Sequence, residues 1–174
     1  MGYHRLYLQA GSSESSAPLI VVPEKLEPPP RLGGKRIWGL AVQLYSVQSK
    51  RAWGVGDLTD LTDLAVWSGA NHGAGYILVN PMHAAAPVAP MQPSPYLPTS
   101  RRYVNPLYLR PEAIPEFAEV QRRSRIRRRR LDLQSDARRA DLIDRDAAWQ
   151  AKRDVLMSAY RVERSVGRQL AYDA

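Results

Sequence analysis

Ser94-Pro95-Tyr96 is the constellation of this sequence best suited to holding a ligand. A tyrosine on a proline-held loop presents a flat apolar face and a hydroxyl, which suits a sugar ring with its apolar face and polar rim. A loop tyrosine plugging the end of a core is the competing reading, and composition alone leaves both open. A second segment, Trp53-Gly54-Val55-Gly56-Asp57, has the glycines of a loop that lets a ligand approach the backbone. Its spacing is neither G-x-G-x-x-G nor a P-loop, so a phosphate cradle is not expected. A tight turn ending in a helix N-cap, with Trp53 packed over it, is the better reading. Asn80-Pro81-Met82-His83 is a third candidate: His83 either orients a substrate hydroxyl or is an ordinary loop histidine.

Other chemistries are excluded more simply. The chain has no cysteine, which removes disulfides, thiolate metal sites and cysteine nucleophiles. His4, His72 and His83 have no metal-ligand spacing, so no metal site is expected. There is no G-x-S-x-G elbow for a serine nucleophile.

The elements that must position these residues follow from hydrophobic patterning. Tyr3–Leu8 and Leu19–Val22 read as short strands separated by a serine-rich loop over 11–16. Pro28-Pro29-Pro30 and Gly33-Gly34 read as a linker, placing a domain boundary near 30–36. Ile37–Tyr45 has the length and apolarity of a strand buried on both faces. From Leu58 the period becomes helical, with Asp57 as N-cap and Gly73 as stop. Tyr76–Asn80 is a second apolar run, so the three segments make one βαβ unit with a parallel pair of strands.

Residues 81–98 carry six of the 14 prolines and can be neither helix nor central strand. Such a loop is functional or disordered, and the aromatic and polar residues at Ser94–Tyr96 and Tyr103–Asn105 favour an ordered functional loop. Leu107-Tyr108-Leu109 reads as a strand piece. Beyond Pro115 there is no proline and one glycine, Gly167, so two or three helices are expected. The clearest carries the stripe Ile143, Ala147, Ala151, Val155, Ala159, with Asp144 near its start.

With 174 residues, 44% hydrophobic and 24% charged, the chain has globular proportions. The net charge of +8 is local. Residues 121–140 hold nine arginines against two aspartates, and the remainder is nearly neutral. A basic run of this kind, without interleaved aromatics, reads as a solvated helix face or connector before it reads as a nucleic-acid site. No apolar run approaches the roughly 20 residues of a membrane span, and the first residues have no signal-peptide core. A soluble, cytoplasmic protein without membrane or nucleic-acid partners is expected.

Taken in order, several stretches resemble the amylomaltase family, the 4-α-glucanotransferases or disproportionating enzymes. They are Trp38–Ser46, Trp53–Leu58, Asn80–Ala84, Ser94–Tyr108, Asp141–Asp144 and Ala147–Lys152. Gly2–Leu6 is similar to the close of the β-sandwich domain that precedes the barrel in longer, actinobacterial-type members. The sequence departs from the family pattern at Met82, where leucine is usual, at Gly75-Tyr76, and in the arginine-rich stretch 121–130.

The resemblance implies an α/β fold: the first strands and helices of a (β/α)8 TIM barrel over 31–174, preceded over 1–30 by the remnant of a β-sandwich domain and a linker. It implies transfer of an α-1,4-glucan segment to the 4-hydroxyl of an acceptor glucan or glucose by a retaining mechanism, without metal, nucleotide or organic cofactor. Retention needs two carboxylates about 5–5.5 Å apart, and in the family these come from later barrel strands. A whole barrel takes about 250 residues. The chain is therefore expected to be an N-terminal fragment, inactive by itself, with no catalytic residue to nominate and with the remaining part of the barrel as its partner. What carries over is substrate binding by Tyr96, Ser94 and Asn105, and a structural loop formed by Trp53, Gly54, Gly56 and Asp57. A non-catalytic glucan-binding module is the alternative, and a basic nucleic-acid-binding protein the more distant one.

Overall fold

The computed structural model describes residues 1–27, 30–32, 34–123 and 142–173. The arginine-rich run from 124 onward, Asp141, and Pro28, Pro29 and Gly33 of the expected linker lie outside the described residues. The chain divides into two units, 1–37 and 38–174.

The first unit is a hairpin of β1 (Gly2–Ala10) and β2 (Ser13–Val21), antiparallel in continuous register from Gly2↔Val21 to Ala10↔Ser13. The connection is only Gly11-Ser12, with Gly11 at φ +62, as a two-residue turn led by glycine requires. The serine-rich stretch expected to be loop therefore belongs largely to β2. Glu14, Ser15 and Ser16 are polar, but they stand opposite Gln9, Leu8 and Tyr7, and the backbone ladder holds them whatever their side chains. Alternation gathers Leu6, Leu8, Leu19 and Val21 on one face of the hairpin, all exposed.

The second unit opens with β3 (Gly39–Val42) and β4 (Tyr76–Val79), parallel in register from Gly39↔Tyr76 to Val42↔Val79. Helix α1 (Leu58–His72) crosses between them, so the expected βαβ unit is present. Asp57 accepts from the N–H groups of Thr59 and Asp60, Asp60 returns a bond to the Asp57 N–H, and Gly73 ends the helix at φ 68. Gly39 lies so close to Tyr76 that a Cβ there would collide with its carbonyl and ring.

Two expectations for β3 need correction. The strand stops at Val42, because Leu44–Ser46 winds into a 3-10 turn whose Leu44 N–H is taken by a side chain rather than by a neighbouring strand. Neither strand is buried on both faces, for Ala41 and Leu78 are exposed: no second layer covers their side of the sheet among the described residues.

The proline-rich segment enters as β5 (His83–Ala84), pairs antiparallel with β6 (Ser100–Val104) through an irregular register, and is otherwise without regular structure over 85–99. Tyr103 and Val104 thus sit in a strand rather than in the loop. Leu107-Tyr108-Leu109 is not a strand piece either. Pro106–Tyr108 forms a 3-10 turn, because Asn105 caps it through its Oδ1 and Pro106 has no N–H to give a ladder. A further turn, Pro111–Ala113, leads to α2 (Phe117–Arg123), α3 (Arg145–Tyr160) and α4 (Val166–Asp173).

Helix α3 is the packing centre of this unit. Asp144 caps it by accepting from the Ala147 N–H at 2.9 Å. Its Ala151, Val155 and Ala159 pack with Trp53, Phe117 and Val120, while Ala148 packs with Val55, Met91 and Leu107. The small residues of this stripe let the 53–57 turn approach closely: a Cβ on Gly54 would stand 3.5 Å from that of Ala148. Among the described residues, no helix is long and apolar enough to cross a membrane.

Candidate functional site

Asn80, at the end of β4, organises the edge where the candidate residues gather. Its Oδ1 accepts from the Leu44 N–H at 2.6 Å, and its Nδ2 donates to the Pro81 carbonyl at 2.9 Å and the Tyr108 hydroxyl at 3.0 Å. One buried amide thus joins the ends of both parallel strands to the 106–108 turn. Burial raises the Tyr108 hydroxyl pKa above its ordinary value, against the lowering by the Asn80 hydrogen bond, so it stays protonated at neutral pH.

Beside its partner Tyr108 lies a cavity of about 20 Å³, room for a single water molecule. Ser94, Asn105, His83, Tyr45, Tyr108 and Arg145 are among its lining residues. The Arg145 guanidinium stands 4.9 Å from the centre of the Tyr45 ring, a cation–π contact that closes one wall. Ser94 and Asn105, 11 positions apart, are therefore brought together. Their polar atoms are also engaged locally: Ser94 Oγ accepts from the Tyr96 N–H at 3.3 Å, and Asn105 Oδ1 from the Leu107 N–H at 3.0 Å. Asn105 N–H donates to the Met82 carbonyl at 2.8 Å, fixing it to the strand that carries His83.

Tyr96 does not line the cavity. Its side chain is on the surface, 60% exposed, and its hydroxyl accepts from Gln43 Nε2 at 3.4 Å, just beyond the end of β3. A ring left this open offers an apolar face to whatever passes over the β3 end.

Trp53, Gly54, Gly56 and Asp57 lie in the interior. Trp53 is buried and donates its Nε1–H to both carboxylate oxygens of Glu112 at 3.0 and 3.1 Å. Gly54 has φ +77, and a Cβ on Gly56 would collide with the carbonyl oxygens of Leu44 and Val47. Asp57 is buried beneath Arg110, whose Nε donates to Asp57 Oδ2 at 2.5 Å while its Nη2 donates to Asp60 Oδ1 at 2.9 Å. Burial alone would lower the Arg110 pKa. The hydrogen bond and charge of Asp57, with those of Asp60, outweigh it and hold the guanidinium above its ordinary value. Lys152 of α3 is also fully buried, with its Nζ donating to the Leu107 carbonyl at 2.6 Å.

Patterning alone did not reveal Arg110, Glu112 or Lys152, because their partners lie 45–59 positions away. Asn80 stood in a segment already singled out, but nothing local marks its carboxamide as the bridge. Among the described residues no group of three or more histidines and acids could hold a metal ion.

Comparison with known proteins identifies the family. The family model described as 4-alpha-glucanotransferase, glycoside hydrolase family 77, matches residues 42–173. The chain belongs to the 4-alpha-glucanotransferase family. A 4-alpha-glucanotransferase of Mycobacterium bovis is 57% identical over 180 aligned residues, covering 100% of this chain and 25% of the relative. That of Haemophilus influenzae is 40% identical over 116 residues, 67% of this chain and 16% of the relative. Among solved structures, amylomaltase from Corynebacterium glutamicum matches 98% of this chain and 24% of its own, with a TM-score of 0.80 and 37% identity. The chain spans about a quarter of the length of the 4-alpha-glucanotransferases it matches. The α/β character expected from the resemblance holds, with strands in three two-stranded sheets among the described residues.

Proposed function

We propose that the chain supplies the opening part of a 4-α-glucanotransferase barrel and one wall of its glucan cleft. The observation that carries this reading is likeness along the whole chain: 57% identity over all of it to a 4-alpha-glucanotransferase. In this reading β3, α1 and β4 are the first βα units of a (β/α)8 barrel over 31–174, and the 1–30 hairpin and linker are the end of a preceding β-sandwich domain. The edge beyond the C-terminal ends of β3 and β4, where Asn80 and Tyr96 lie, is where a barrel carries its site. The partner is an α-1,4-glucan, and the setting is the cytoplasm.

Tyr96 receives the apolar face of a glucose unit, and its hydroxyl, beside Gln43, meets the polar rim. The small cavity is too tight for a sugar ring, so Ser94 and Asn105 act at its mouth, holding the loop and meeting sugar hydroxyls there. Trp53, Gly54, Gly56 and Asp57 are structural.

Retaining transfer requires a nucleophile and an acid/base carboxylate about 5–5.5 Å apart across the scissile bond. The buried carboxylates that are described serve other purposes: Asp57 and Asp60 hold Arg110, and Glu116 holds Arg168. In this reading the reacting acids come from later barrel strands, and the 174-residue chain alone neither transfers nor hydrolyses glucan. Titration with maltoheptaose by NMR tests the reading. Millimolar binding that is lost in Tyr96→Ala supports it, and no shift of the 94–96 amides at any concentration overturns the glucan wall. Release of glucose from maltotriose by the purified chain would overturn the assignment of the reacting acids elsewhere.

A further inference from the structure

The turn that carries Asn105 is held from behind by a buried charge. Lys152 lies midway along α3, is fully buried, and reaches the Leu107 carbonyl at 2.6 Å. Leu107 is flanked by the two residues that matter for the edge. Asn105 caps the turn through the Leu107 N–H and lines the cavity beside Ser94, while Tyr108 receives the Asn80 amide. One ammonium is thus connected, through three residues of backbone, both to the candidate sugar loop and to the ends of β3 and β4.

Filling this position in the core does not call for a charge. The neighbouring residues of the α3 stripe are Ala148, Ala151 and Val155, and a methionine would occupy the same space without desolvating an ammonium. The surroundings are arranged to tolerate that charge. Asp57 and Asp60 face it from the start of α1, and Arg110 and Glu112 from the 110–113 segment. Three carboxylates against one guanidinium leave two negative charges over, and the lysine cancels one of them. The carboxylate of Glu112 receives the Trp53 indole N–H.

We propose that Lys152 is a positioning residue for the candidate glucan loop: its ammonium fixes the 105–108 turn, and so sets Asn105 beside Ser94 in the arrangement that meets the sugar. This rests on the reading of Ser94, Tyr96 and Asn105 as the glucan wall. Burial pushes the Lys152 pKa down to about 8, against the pull of Asp57 and Asp60. The lock is therefore charged at neutral pH and loses its charge just above it, weakening a charge-assisted hydrogen bond to an ordinary one.

The test follows the Leu107 and Tyr108 amides of the ¹⁵N-labelled chain from pH 6.5 to 9.5, and measures maltoheptaose affinity over the same range. The two amides are expected to titrate together near pH 8 while affinity falls about tenfold, the equivalent of 1.4 kcal/mol. In Lys152→Met the titration disappears and affinity is low at every pH. Lys152→Gln, which keeps a donor without the charge, restores part of the affinity but not its pH dependence. Amides that do not titrate in the unsubstituted chain overturn the lock, and that measurement stands even where a variant fails to fold. A titration that survives in Lys152→Met overturns the lock as well, because another group is then its source. Affinity that stays flat while the amides titrate overturns the positioning role. If the amides titrate but maltoheptaose binds at no pH, the ammonium still fixes the turn and it is the glucan reading that fails.

Discussion

The Asn80 carboxamide takes the Leu44 N–H at 2.6 Å across 36 residues of sequence, closing the gap where β3 leaves its ladder. The same side chain gives its N–H groups to Pro81 and Tyr108, so each of its polar atoms is used in a buried site. Asn80→Ala strands a buried backbone N–H and the Tyr108 hydroxyl together. Each unsatisfied group costs about 1–3 kcal/mol, so a loss of roughly 2–6 kcal/mol in urea unfolding is expected. Asn80→Asp keeps the acceptor and loses the donors, and should recover part of that loss. Equal effects of the two substitutions would refute this division.

Arg110→Met leaves Asp57 and Asp60 buried without their cation. Removing one partner of a buried ionic pair costs about 3–5 kcal/mol, and urea midpoints should fall accordingly. Asp57→Asn in the same background should cost less than in the unsubstituted chain, because the two side chains act as a unit. Additive losses would show that the guanidinium and the carboxylate are energetically independent.

Lys152 gives the fold an unusual alkaline limb. Its pKa is about 8 in the folded chain and near 10.5 in the unfolded one, so between these values the unfolded chain binds more protons and stability rises with pH. The full rise is about 3 kcal/mol, complete above pH 10.5 and absent below 8. Lys152→Met should flatten it in pH-dependent urea unfolding. Global stability thus increases over the window in which the 105–108 turn loosens.

Glu116 supplies the acid limb. Its carboxylate accepts from Arg168 Nε at 2.9 Å, and this hydrogen bond, against burial, holds its pKa below the ordinary carboxylate value. The contribution is present above the unfolded value of about 4.5 and is lost as pH falls through the lower folded value. Arg168→Gln should move the acid unfolding midpoint to higher pH. A midpoint that does not move would show the pair to be idle.

Gly56→Ala meets the carbonyl oxygens of Leu44 and Val47, backbone atoms that cannot swing aside. Loss of the folded 38–174 unit by circular dichroism is expected. Gly167→Ala, where a Cβ has open space inside α4, should stabilise by up to about 1 kcal/mol.

How much of this was legible depends on how far apart the partners are. Helix α1 was readable to its ends because Asp57, Asp60 and Gly73 act within one turn of where they stand. The parallel pair followed from two apolar runs and a helix between them. The start of β2 was not readable, since a backbone ladder opposite β1 decides it rather than the serines themselves. Leu107–Tyr108 looked like strand because its apolar residues carry no trace of the Asn105 cap that coils it. Ser94 and Asn105 could be nominated from the loop they share. The buried cluster of Arg110, Glu112 and Lys152 could not, for each reads alone as an ordinary surface charge until the fold brings it to its partner.

Asp57 serves both as the cap of α1 and as the seat of Arg110, 53 residues later. On the ribosome, then, the helix is completed long before its stabilising cation has been made. Until that arginine emerges, the two acids at the start of the helix have the backbone N–H groups of its first turn as their partners. The buried ion pair is thus a late addition to a helix that already carries its own cap.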